Sequence, residues 1–213
     1  MKARKVKVCG MRDPENIRGV LEAAPEYLGY IFYPKSKRFV GENPDSSIFS
    51  LVPESTQKVA VFVNEELEKV LAICRNFQLQ VAQLHGQESP AYCQQVRQAG
   101  LTVFKAFSVD DQFDFSVLKA YESVVDYFLF DTKGKLPGGT GLKFNWDILK
   151  NYTLKLPFLL SGGIGPDDVE ALSQLEHDQL FAFDINSGFE LEPALKDVGQ
   201  VKVFISQIRK NSI

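Results

Sequence analysis

The sequence has little cysteine. Its 213 residues hold three, Cys9, Cys74 and Cys93. The number is odd and no Cys-x-x-Cys pair occurs, which argues against a disulfide framework and against a zinc cage. An excess of charge is also missing: 24 Lys and Arg stand against 27 Asp and Glu, a net of −3. That balance supports neither a nucleic-acid partner nor an anionic membrane surface. No apolar run approaches the ~18 residues of a membrane span. The basic start Met1–Lys7 is followed by no run of signal-peptide length, so a reducing cytoplasm is the expected compartment. Nothing in the chain reads as a linker, a charge block or a low-complexity tract. Residues 1–213 are therefore expected to form one domain, long enough to bury a sizeable core without a staple.

What is present recurs. Short apolar, β-rich runs open at Lys5, Tyr27, Lys58, Gln80, Thr102, Asp126, Pro157 and Leu180, at intervals of roughly 22 to 31 residues. That spacing holds one strand, two loops and one helix. Most runs lack polar alternation, as parallel strands covered on both faces do. In Glu65–Asn76 the positions Leu67, Val70, Leu71 and Cys74 make one helical face, and Asn64 is the expected N-cap. Ser89-Pro90 opens the next helix and Gly100 closes it. Pro166, Asp167 and Asp168 begin another that is expected to run to about Leu175. Glu42–Glu54 is expected to be the second helix. Eight strands alternating with helices fit a (β/α)8 TIM barrel or an open doubly wound sheet, and the count of eight favours the barrel.

A barrel places its active site at the C-terminal strand ends. The seventh and eighth runs end in Ser161-Gly162-Gly163-Ile164 and Asp184-Ile185-Asn186-Ser187-Gly188. Small-residue loops there suit phosphate, because glycine lets backbone N–H groups approach its oxygens; the plainer reading is that the glycines only make turns. Cys9 ends the first run near Arg12, where a lowered thiol pKa would make it a base or nucleophile, or else it is a small buried apolar residue. Asp131 follows the apolar run Tyr127–Phe130. It is either a desolvated acid, kept protonated near neutral pH, or a turn residue. Arg38 offers a fork for a carboxylate or is a solvated charge. His85 is a wall or supporting residue. Asp184, between Phe183 and Ile185, needs a partner or a ligand. Cys74 and Cys93 fall on helical patterns and His177 in a polar stretch, and all three are read as structural.

Taken in order, K-V-C-G-M-R (7–12), G-Y-I-F-Y-P-K-S-K-R (29–38), V-F-V-N-E (61–65), Q-L-H-G (83–86), F-D-T (130–132), G-G-T-G (138–141), F-N-W (144–146), L-S-G-G-I (160–164) and D-I-N-S-G-F-E (184–190) resemble the phosphoribosylanthranilate isomerases of tryptophan biosynthesis. The resemblance spans residues 7–190. It implies a (β/α)8 barrel and an Amadori rearrangement of N-(5-phosphoribosyl)anthranilate, with no cofactor and no metal. By the same resemblance Asp131 is the general acid and Cys9 the general base, and Arg38 binds the anthranilate carboxylate. Backbone N–H groups of Gly162, Gly163, Ser187 and Gly188 form the phosphate cradle, with His85 and Asp184 also substrate-facing. Asn145, Asn186 and Phe189 depart from the usual pattern. The partner is a small phosphorylated molecule, the chain a monomer or homodimer, and the Gly138–Gly141 loop a candidate lid. Two other readings stay open at this point: a barrel acting on a different sugar phosphate, and a ligand sensor with a redox thiol at Cys9.

Overall fold

The computed structural model describes residues 4–132 and 145–210. Eight parallel strands close into a barrel: β1 (Lys5–Val8), β2 (Tyr27–Ile31), β3 (Gln57–Phe62), β4 (Val81–Leu84), β5 (Thr102–Val109), β6 (Tyr127–Thr132), β7 (Phe158–Leu160) and β8 (Leu180–Ile185). Each strand pairs with the next, and β8 returns to β1 in the register Lys7↔Asp184 and Val8↔Ile185. The expected fold is borne out.

The helical layer is thinner than the periodicity predicts. Helices α1 (Pro14–Leu21), α3 (Leu67–Asn76), α4 (Pro90–Gln98) and α6 (Val198–Lys210) are regular. The second, α2, covers only Ser47–Ser50 of the expected Glu42–Glu54. Pro44 and Pro53 bracket that stretch, and Asp45 ties its own turn by accepting from Ser47 N at 2.9 Å; both favour turns over a longer helix. After Pro166 a 3₁₀ turn (Pro166–Asp168) leads into a short α5 (Val169–Ser173), which stops two residues before Leu175. Two other crossovers are 3₁₀ segments, Phe115–Ala120 and Trp146–Asn151.

Ser89 caps α4 as expected, accepting from Tyr92 N at 3.2 Å. Asn64 does not cap α3, whose N-cap is Glu66. It sits at φ +52° instead, and its Oδ1 accepts from Gln87 N at 2.6 Å. Asparagine tolerates the left-handed region, so it serves a turn there. A hairpin of β9 (Glu190–Glu192) and β10 (Leu195–Lys196) follows β8 and was not expected. The Gly138–Gly141 loop lies outside the described residues.

Two apolar clusters form. The larger lies between the sheet and its outer layer and includes Phe62, Phe128, Phe130, Phe158 and Phe204. The smaller fills the barrel from alternate inward positions such as Val59, Val61, Val81, Phe104, Leu129 and Leu159. At its N-terminal end Tyr27, Phe104, Tyr127 and Phe181 form a ring of neighbouring aromatics with centroids 4.5–6.3 Å apart. The barrel is therefore stoppered below. Lys5 lies over the Phe181 ring of this floor, with its Nζ 4.7 Å from the centroid, and the buried inward polar positions are gathered above.

Candidate active site

Above the aromatic ring the inward positions turn polar. Lys7 and Cys9 come from β1 and its end, Gln83 from β4, His85 from just after it, and Asp131 from β6. Ser161 follows β7 and Asp184 is the last residue but one of β8. All except Lys7 line one open cleft of about 840 Å3 at the C-terminal end of the barrel, which Arg38, Gly162, Gly163 and Ser187 also line. Gly188 stands outside that lining, packed behind it: a Cβ there would lie 2.2 Å from the Ile164 carbonyl oxygen. Cys74 and Cys93 are buried in α3 and α4.

Cys9 is buried, 4% exposed. Its surroundings differ from the sequence expectation. Arg12 is exposed and directed toward the carbonyl oxygens of Lys37 and Phe39. The cation that acts on the thiol is Lys7, two residues back on the same inward face of β1. Burial pushes the thiol above its ordinary value, Lys7 pulls it down and Asp184 pushes it up, leaving a net rise where a fall was expected. Space for the sulfur comes from Gly29 on β2, where a Cβ would stand 2.7 Å from Sγ.

Asp131 Oδ2 lies 3.2 Å from His85 Nε2, and His85 Nδ1 lies 2.8 Å from Gln83 Nε2. With the amide donating to Nδ1, the ring carries its proton on Nε2 and gives that hydrogen bond to Asp131. His85 is thus a supporting residue. Asp184 has the partner its burial demanded: Lys7 Nζ donates to Oδ1 at 2.8 Å, and Ser161 Oγ lies 3.4 Å from Oδ2.

Arg38 is held from behind. Its Nε and Nη2 donate to the Glu190 carboxylate at 2.6–3.0 Å, leaving Nη1 out of that fork. Glu190 also accepts from Lys196 Nζ at 2.5 Å, and Lys196 donates to Asn186 Oδ1 at 2.7 Å. The departure at Asn186 therefore serves an internal bond. Burial would raise the Glu190 carboxyl, but Arg38 and Lys196 outweigh it and hold it below the ordinary value.

Among the described residues three lysines are fully buried, and each faces a buried acid: Lys7 with Asp184, Lys105 with Glu88, Lys196 with Glu190. Such pairs add little net stability but fix orientation. Lys105 also donates to the Leu84 and Gly86 carbonyls at 3.1 and 2.8 Å, pinning the turn on either side of His85. Sequence reasoning missed Lys7, Gln83, Glu190 and Lys196 as parts of the site. For Lys7 and Gln83 a signal existed: Gln83 is the lone polar residue of its strand, and Lys7, like Gln83, stands two positions before a candidate residue and so on the same face.

The family model for N-(5'phosphoribosyl)anthranilate (PRA) isomerase matches residues 6–207. The chain belongs to this family. An N-(5'-phosphoribosyl)anthranilate isomerase of Phocaeicola vulgatus is 45% identical over 205 residues, 96% of this chain and 98% of that one. The phosphoribosyl anthranilate isomerase of Thermotoga maritima superposes with a TM-score of 0.88 at 33% identity, over 97% of this chain and 99% of that one. A further phosphoribosyl anthranilate isomerase structure, 30% identical with a TM-score of 0.83 over 97% and 99% of the two chains, is in complex with reduced 1-(o-carboxyphenylamino)-1-deoxyribulose 5-phosphate. No helix among the described residues is long and apolar enough to cross a membrane.

Proposed function

We propose that this isomerase converts N-(5-phosphoribosyl)anthranilate to 1-(2-carboxyphenylamino)-1-deoxyribulose 5-phosphate, with Asp131 as general acid and Cys9 as general base. The observation that carries the assignment is that Cys9, Asp131 and Arg38, brought from three separate parts of the chain, open into one cleft beside the Gly162–Gly163 turn. The substrate is anionic at both ends, and the cleft offers both a guanidinium and left-handed glycine backbone, φ +88° and +68°. Holding both ends sets the ribose between acid and base.

The reaction then needs only proton movement. Asp131 gives a proton to the furanose ring oxygen as the C1–O bond breaks, and the anilinic nitrogen lone pair forms the C1=N bond of a Schiff base. Cys9 removes the C2 proton. The C–H electrons become the C1=C2 bond, and the C=N electrons return to nitrogen. The enolamine loses its hydroxyl proton and gains one at C1, which leaves the C2 ketone. Atoms and electrons balance with nothing added. Positioned acid and base groups each contribute about 10²–10⁴-fold. Arg38 binds the anthranilate carboxylate through the donors that Glu190 leaves free. Backbone N–H groups around Gly162, Gly163 and Ser187 cradle the phosphate, Gly188 shapes that turn from behind, and His85 and Asp184 face the ribose. The catalytic unit is the single barrel domain.

Turnover of freshly prepared substrate with chelator present, followed by product identification, tests this. Conversion that falls at least 100-fold in Cys9→Ala and in Asp131→Asn, with product binding kept, is the expected result. Undiminished activity in either variant removes that residue from its role. Arg38→Ala is expected to weaken binding of substrate far more than of an analogue lacking the carboxylate, and equal losses would overturn its assignment.

A further inference from the structure

Lys7 is wholly buried inside the barrel, below the cleft, where a lysine is costly to keep. Its strand neighbours Val6 and Val8 point outward into the apolar shell, so its side chain points into the barrel, where it is fully buried. It is charged there: burial works against the charge, but Asp184 and Cys9 together outweigh it. Asp184 Oδ1 accepts a hydrogen bond from that ammonium at 2.8 Å, and the same charge acts on the Cys9 thiol. Cys9 sits two residues further along the same face, and Gly29 spares Sγ a Cβ that would stand 2.7 Å from it. The other titratable groups near this cluster are Lys196 of β10, which acts on Cys9, and Asp131 of β6 and His85 after β4, which face Asp184.

We propose that Lys7 is a positioning residue for the isomerisation: one ammonium, shared between Asp184 and Cys9, aims the sulfur and carries its negative charge when the base is armed. Asp184 keeps Lys7 in place and competes with Cys9 for it, so the two acidic groups are coupled through one cation. This rests on Cys9 being the base. A pair whose purpose was only to fill the barrel would not need the candidate base two residues along the same inward face.

The pH titration of the Cys9 thiolate, read as ultraviolet absorbance and as alkylation rate against a Cys9→Ala blank, tests the coupling without using turnover. Lys7→Met with Asp184→Asn removes the cation without stranding a buried carboxylate. Its Cys9 midpoint is expected to rise by a pH unit or more, cutting the thiolate and the alkylation rate about tenfold at fixed pH. Asp184→Asn alone keeps an acceptor for Lys7 and removes the competing charge, so its midpoint is expected to fall. An unchanged or lowered midpoint in the double variant overturns the proposal, and so does an unchanged or raised one in Asp184→Asn, which needs no folded double variant. The pH profile of kcat/KM is expected to move with the titration. Full turnover in Cys9→Ala would instead overturn the base assignment, a separate result from the thiol titration.

Discussion

Gly29 and Cys9 show how a reactive side chain depends on an absent one. A Cβ at position 29 would meet Sγ at 2.7 Å and the Cys9 Cα at 3.1 Å, and the second of these is backbone that cannot swing away. Gly29→Ala is expected to cost about 1–3 kcal/mol of stability and to lower kcat at least tenfold with little change in KM; a variant with full kcat and a normal melting temperature would refute this. The pH dependence has a definite sign. Burial raises the Cys9 thiol more than Lys7 lowers it, so the base form grows as pH rises. In the free enzyme the Cys9 limb of kcat/KM is expected to climb toward a midpoint above the ordinary thiol value of 9.0, and a midpoint below 9.0 would contradict it. Cys9 and Asp131 were legible in the sequence because each puts a reactive group at the end of an apolar strand, and Arg38 because it closes the basic loop after β2. The charge that governs Cys9 was not. Arg12 is nearer to α1 in sequence but reaches the surface, while Lys7 looks like an alternating polar residue and turns inward.

At the scale of elements, the β9–β10 hairpin works as a brace. Glu190 opens it and Lys196 closes it, and between them they hold the Arg38 fork and the Asn186 side chain. Glu190→Gln is expected to loosen Arg38 and leave Lys196 with a weaker partner. KM should rise about tenfold with kcat changed much less, and stability should fall by roughly 3 kcal/mol. Equal changes in kcat and KM would place Glu190 in the chemistry instead. Its carboxyl is held below the ordinary value of 4.5, so its contribution is complete above that pH and is lost as pH falls through the lower folded value. The gap in melting temperature between the parent and Glu190→Gln should therefore be constant above about pH 5.5 and close in more acid solution. The strands were readable from their apolar runs because a barrel strand buried on both faces has no other pattern to show. The helices were readable only where caps and a stripe coincide, as at Ser89–Gly100. Between Pro44 and Pro53 the prolines and the Asp45 turn override the apolar residues, and the hairpin is too short to leave a periodic mark.

The whole molecule has a polar end and an apolar end. Tyr27, Phe104, Tyr127 and Phe181 close the lower mouth, and Phe104 is fully buried in that ring. Phe104→Ala is expected to cost about 3–5 kcal/mol by leaving a cavity. Because the cavity lies beneath the cleft, kcat at a temperature well below the melting point should stay within about threefold of the parent. A large fall in kcat with unchanged stability would mean that the floor shapes the site. The floor also bears on traffic. A tube open at both ends lets one molecule enter while another leaves. A tube with a sealed floor is a cul-de-sac, and product must back out through the doorway its successor is waiting to use. Each turnover then ends with an emptied chamber, and product at high concentration holds substrate off simply by standing in the entrance.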